Sequence, residues 1–280
     1  MLSGARPVAR DVPWLADAQR PPETPAPNAP VLAPLLVDHG RPIDSLDAWL
    51  RRRAEIRQAW FDFLKPLAEP RDKPALKVLE EDHPAGCVRQ LVQYESEPGE
   101  TVEGYLLKPE PCPDKRPGVV VLHPTTPHTI REPAGFEGDR YGAFGLKLAE
   151  RGLVAFCPRC FLWRGTENRL DRVAEHERRH AGSKGMAKML WDAGRGLDVL
   201  ESLDQVDGKR LGAVGHSLGA KETPSTDDGD RSWPFVAAAL PVYKLYGGPQ
   251  RVGLLNHRRG HVVPPDAAER SDDWLQTYLS

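Results

Sequence analysis

Three short, unbroken apolar runs constrain this chain more than any other feature. They are Val119-Val120-Val121-Leu122, Leu153-Val154-Ala155-Phe156 and Leu211-Gly212-Ala213-Val214. Side chains of a strand alternate between its two faces, so an unbroken run belongs to a strand buried on both. Between the runs the apolar spacing turns helical. A helix is expected near 140–151. A second follows the stripe Met186, Met189, Leu190, Ala193, Leu197, Leu200 and Leu203, which Asp207-Gly208 closes. A helix near 233–246, a strand at 251–255 and a helix at 266–279 continue the alternation. Strands alternating with helices give βαβ units and a mostly parallel sheet with helices on both faces.

Upstream the pattern differs. Leu46, Trp49, Ile56, Trp60, Phe63 and Leu64 recur near helical spacing, and Arg51, Arg52, Arg53 and Glu55 form the solvated face of that helix. Val88 to Tyr94 and Val102 to Leu107 then read as two strands of a hairpin around Glu97-Pro98-Gly99-Glu100. Eight of the 28 prolines fall in the first 34 positions, which disfavours helix there. Residues 1–40 are therefore expected to form a proline-rich arm, and residues 41–280 one α/β domain extended at its N-terminus by the helix and hairpin.

Composition excludes several classes. Lys plus Arg total 38 and Asp plus Glu total 40, a net charge of −2 that gives no electrostatic reason for a nucleic-acid or anionic-membrane partner. No stretch approaches the roughly 18 apolar residues of a membrane span, and no secretory signal is visible, so a cytoplasmic location is expected. Four cysteines make no disulfide framework. Cys157 and Cys160 form a CxxC, but it leaves a strand rather than opening a helix, so it reads as packing rather than redox or metal chemistry.

The chemistry gathers at Gly215-His216-Ser217-Leu218-Gly219, a GxSxG directly after the third apolar run. A strand-to-helix elbow there holds the serine in a strained conformation. Its Oγ then projects at the carboxyl edge of the sheet, where open α/β sheets bind ligands. A serine hydroxyl needs a base to take its proton, and in this architecture the order is serine, acid, histidine. His257 and His261 both lie downstream. His261, in Arg259-Gly260-His261-Val262-Val263-Pro264 before the last helix, is the favoured base, and His257 reads as structural. An oxyanion needs two backbone N–H donors. One is Leu218. The other comes from His123-Pro124-Thr125-Thr126-Pro127, where the prolines have no N–H; Thr125 is preferred over Thr126.

The stretches VVVLHPTTPHTIREPAGFEG, FGLKLAERGLVAFCPRCFLW, GMAKMLWDAGRGLDVL, RLGAVGHSLGAKE and DGDRSWPFVAAALPVYKLYGGPQRVGLLNHRRGH resemble the α/β-hydrolase superfamily. The similarity is to its dienelactone-hydrolase-like and acetyl-xylan-esterase-like branch, and it covers most of residues 40–280. It implies a serine hydrolase acting on small carboxylic esters without metal or organic cofactor, with Ser217 as nucleophile and His261 as base. Asp228-Gly229-Asp230-Arg231-Ser232-Trp233-Pro234 resembles the family's acid loop, with Asp228 as the acid and Asp230 as the alternate. Either also suits a helix cap. The chain departs from the family in the interval from Leu218 to Asp227. About 50 residues or more, two βαβ units, are missing there. The sheet is therefore expected to lack strands after the elbow, to expose an edge that favours self-association, and to support only low activity.

Two other readings compete. A shortened hydrolase can persist as a binding module without catalysis. His176-Glu177-Arg178-Arg179-His180 matches the H-E-x-x-H of zinc proteases, although its charged neighbours read as a solvated helix face. Trp163, Trp191 and Trp233 suit either a sugar-binding pocket or the core.

Overall fold

A computed structural model describes residues 11–23, 29–67, 72–84, 86–165, 168–219, 228–248 and 250–279, with only the backbone given for Gly219, Asp228 and Gly229. Part of the proline-rich arm and the interval 220–227 lie outside the described residues. In chain order the elements are α1 (Leu15–Ala18), β1 (Val37–Asp38), β2 (Arg41–Pro42), α2 (Leu46–Leu64), β3 (Lys77–Asp82), β4 (Cys87–Glu97), β5 (Glu100–Pro109), β6 (Arg116–Leu122), α3 (Phe144–Glu150), β7 (Val154–Pro158), α4 (Arg169–Arg179), α5 (Gly185–Glu201), β8 (Val206–Gly215), α6 (Asp228–Leu245) and α7 (Pro265–Leu279). They divide into two units, residues 1–63 with 223–267, and residues 64–222 with 268–280.

The second unit holds a six-stranded sheet in the order β3-β4-β5-β7-β6-β8. The hairpin strands join it through antiparallel ladders, β5 to β7 included. Strands β7, β6 and β8 are mutually parallel. Residue parity along the strands sorts the helices. Phe156 and Val120 face α5, where a Cβ on Gly196 would lie 3.3 Å from Val120. Cys157, on the opposite face of β7, meets α3 at Gly145, whose missing side chain leaves room for its sulfur. Gly212 meets Leu275 and Leu279 of α7 on that same second face. Helices thus cover both faces, as the alternation of runs requires. The α5 side carries a core in which Val92, Tyr94, Val102, Leu106, Val154, Phe156, Val199 and Leu200 are all buried.

Strand β8 ends the sheet, and among the described residues no strand follows it. Val119 to Val121 of β6 are fully buried, whereas Leu211 to Gly215 are half-buried or exposed. The loss of strands after the elbow, expected from the short interval, is borne out. The strand expected at 251–255 is not. Among the described residues 250–257 are irregular, because their backbone groups are engaged elsewhere. Leu254 N–H donates to Ala18 O, and Gln19 Nε2 donates to Val252 O at 3.1 Å.

The first unit is smaller. Ile43, Trp49 and Val242 form its core with Leu35, Leu46 and Leu245, packing α2 against α6. Trp49 Nε1 donates to Tyr246 Oη at 3.2 Å.

One buried ion cluster joins the hairpin to α4 and α5. Lys188 is 2% exposed. Its ammonium meets Glu97 at 2.9 Å, Asp192 at 2.7 Å and Ser96 Oγ at 3.3 Å. Burial pushes the Glu97 carboxyl up, but Lys188, with His180 and Arg179 beyond it, more than offsets this and holds it below the usual range. Removing one partner of such a cluster leaves buried charge uncompensated. Lys188→Met is expected to lose about 3–5 kcal/mol of stability at pH 7.5, measured by urea unfolding. A loss within about 1 kcal/mol would mean that Glu97 and Asp192 find water instead.

Candidate active site

The carboxyl edge of the parallel strands builds the site. Strand order reverses at β6, because the chain crosses from β6 to β7 on one side and then to β8 on the other. Such a switch point opens a crevice at the strand ends. Gly215 is the last residue of β8 and pairs with Leu122 of β6. Ser217 follows at the start of the 3-10 turn Ser217–Gly219, with φ of 55°. A non-glycine residue there is strained, and such strain concentrates where a side chain must be aimed.

Next to the elbow lies a cavity of about 210 Å³, lined by Leu122, His123, Pro158, Arg159, Cys160, Met186, Met189, Leu190, Asp192, Ala193 and Leu218. It touches the ends of β6 and β7 and the turn after β8, with α5 as its wall. Helical spacing puts Met186, Met189, Leu190 and Ala193 on one side of α5. A second, polar cavity of about 330 Å³ adjoins at Arg159, with Gln93, Thr101, Glu103, Trp163, Arg164 and Gly165 around it.

His123 locks the two loops that frame the site. It is 2% exposed. Cys160 N–H donates to its Nε2 at 3.1 Å, so the proton sits on Nδ1, which donates to Pro124 O at 2.8 Å. Burial lowers its pKa from 6.5 to about 4, with Arg159 adding to the effect and the Pro124 carbonyl opposing it. The ring packs edge-on against Trp163, centroids 5.2 Å apart. His123 was legible only as a histidine next to a buried strand; its role needs Cys160, 37 residues away.

The expected site residues divide between the units. Ser217, Leu218 and Thr125 belong to the second unit; Leu218 lines the apolar cavity, and Thr125 is exposed on the loop after β6. His261, Asp228 and Asp230 belong to the first. His261 is exposed on the loop before α7, and Asp228 opens α6, its side chain outside the described residues. Asp230 accepts from Asn256 Nδ2 at 3.0 Å and pairs with Arg258 at 3.1 Å. His257 Nδ1 accepts from Arg259 N–H at 3.1 Å, in keeping with a structural role.

The H-E-x-x-H segment corrects one expectation. His176 and His180 do not lie on a solvated face. His176, 4% exposed, contacts Ser183 Oγ at 3.1 Å, and His180 meets Glu97 at 2.7 Å. Burial, with His180 nearby, lowers the His176 pKa. The periodicity of α4 turns these residues toward the buried carboxylates of the hairpin and leaves Glu177 exposed. A zinc protease would need all three at one metal, and the described residues hold no metal-binding group of three or more such side chains. Cys157 and Cys160 are free thiols, and burial raises the pKa of Cys157. Trp163 borders the polar cavity, whereas Trp191 donates to Ser96 O at 2.9 Å. Among the described residues no helix is long and apolar enough to cross a membrane.

The sheet, its two helical layers and the strand-to-turn elbow define an α/β-hydrolase-type fold. The dienelactone hydrolase family profile matches residues 102–250, and the chain belongs to that family. A search of curated proteins finds no match. Among solved structures, a glucuronoyl esterase from Solibacter usitatus is similar at a TM-score of 0.63 and 15% identity, over 90% of this chain and 99% of that one. A putative acetyl xylan esterase from Bacteroides fragilis is similar at 0.53 and 15% identity, over 63% of this chain. The match spans 49% of that esterase's length. Both likenesses concern the fold.

His123 makes the site sensitive to acid. The unfolded chain protonates it as pH falls through 6.5, the folded one only near 4, so its contribution to stability is full above 6.5 and is lost between those values. His123→Gln is expected to be less stable than wild type at pH 8, with the gap narrowing by about 2 kcal/mol at pH 5. Unfolding at both pH values checks this, and a constant gap would contradict it.

Proposed function

We propose that this chain is a serine hydrolase that cleaves small-molecule carboxylic esters through Ser217, His261 and Asp228. Ser217 Oγ attacks the ester carbonyl carbon as His261 takes the hydroxyl proton. Asp228 orients His261 and stabilises its charged form. The backbone N–H groups of Leu218 and Thr125 hold the oxyanion. The bond to the alcohol oxygen then breaks, and His261 returns the proton to that oxygen. The acyl group is left on Ser217, and water, deprotonated by His261, releases it as the acid.

The observation that carries this reading is the positive φ of Ser217, directly after β8 and beside a cavity lined by the next residue, Leu218. Family membership supports it. Asp230 is engaged by Asn256 and Arg258, which suits it to anchoring the loop that leads to His261, and the reading keeps Asp228 as the acid.

The test is intact-protein mass after exposure to a fluorophosphonate. Wild type is expected to gain one adduct, and Ser217→Ala none. Wild type is also expected to turn over p-nitrophenyl esters slowly, with Ser217→Ala at least 10³-fold slower, on the order of other triad knockouts. No adduct on wild type, or equal labelling of the variant, would overturn the reading.

A further inference from the structure

We infer that the apolar cavity beside the elbow holds the acyl group of the ester, and that it is built for a group of hexanoyl or benzoyl size rather than acetyl. The inference rests on the esterase reading for the identity of the bound group, but the cavity itself stands apart from it.

Three observations carry it. The first is size. The cavity measures about 210 Å³. A dry protein cavity of about 150 Å³ accommodates benzene, so an acetyl group would leave most of this one empty.

The second is lining. Leu122, Met186, Met189, Leu190, Ala193 and Leu218 supply apolar surface, while each of the three charged or ring-polar residues is engaged elsewhere. His123 is committed to Pro124 O and Cys160 N–H. Asp192 holds Lys188 and faces Arg164 at 3.5 Å. Arg159 donates to Glu103 at 3.1 Å and to Thr129 Oγ1 at 3.2 Å. The cavity therefore selects hydrocarbon, and a hydroxylated group would lose its water without replacement.

The third is position. Leu218 is the proposed oxyanion donor and also a wall of the cavity, so a substituent on the carbonyl carbon lies against it. The acyl group must stay bound through both half-reactions, whereas the alcohol must leave after the first. The polar cavity across Arg159, edged by Trp163 and Gln93, suits the departing alcohol.

The chain has three methionines, and two of them, Met186 and Met189, line the cavity. Their methyl NMR signals report occupancy without turnover. Titrating Ser217→Ala with methyl hexanoate is expected to shift both signals, while methyl acetate at equal concentration leaves both in place. In wild type, kcat/KM for p-nitrophenyl hexanoate and benzoate is expected to exceed that for acetate at least tenfold, since each buried methylene is worth about fourfold. Ala193→Phe, which fills the cavity from α5, is expected to abolish that preference. Met189→Trp is a second filler should the first fail to fold.

Methionine shifts with hexanoate but no fluorophosphonate adduct would retire the esterase reading and keep the cavity as an apolar ligand site. Turnover that favours acetate would overturn the inference, as would methionines indifferent to hexanoate or a chain-length preference unmoved by either filler.

Discussion

Lys188 is the point on which the second unit depends. Its ammonium is buried against the Glu97 and Asp192 carboxylates and the Ser96 hydroxyl. A lysine is buried in this way only with partners that compensate its charge. The partners come from the end of β4 and from one turn further along α5, so the cluster ties the hairpin to the helix. It also sets the rotation of α5. With Lys188 and Asp192 turned to the hairpin, helical geometry presents Met186, Met189, Leu190 and Ala193 to the strand ends. Arg164 joins from the loop after β7, reaching Glu100 at 3.0 Å, and His180 brings in the end of α4. The apolar cavity is a consequence of this ionic arrangement.

A second constraint operates on the opposite wall. His123 is held neutral by burial and bonded at both ring nitrogens, so the loops after β6 and β7 cannot move independently. The parallel pairing of β6 with β8, Leu122 against Gly215, then sets the elbow beside those loops. Ser217 at positive φ costs on the order of 1–2 kcal/mol, and it persists because the ladder leading into it is well paired. Strain at the serine and rigidity around it belong together: an aimed hydroxyl is useful only against a fixed wall.

Being the edge strand gives β8 an unusual position for one that carries the elbow. Its middle residues are half-buried or exposed, while those of its neighbour β6 are buried. An open edge is a template for pairing with another chain unless it is covered. The short interval from Leu218 to Asp227 accounts for it, since no βαβ unit fits in so few residues.

Much of this was legible in the sequence because it is local. The apolar runs marked β6, β7 and β8, helical stripes marked α2 and α5, and GxSxG after a strand marked the elbow. Each depends on residues within one element, where alternation and 3.6-residue periodicity act directly. What the tertiary structure decided depends on distant partners. His176-Glu177-Arg178-Arg179-His180 looks solvated until Glu97, more than 75 positions away, is seen to meet His180. The 251–255 segment has the composition of a strand, but its backbone partners are Ala18 and Gln19. His123 and Lys188 have no motif at all. Their importance comes from burial, and burial of a polar group is settled by which remote groups arrive to satisfy it.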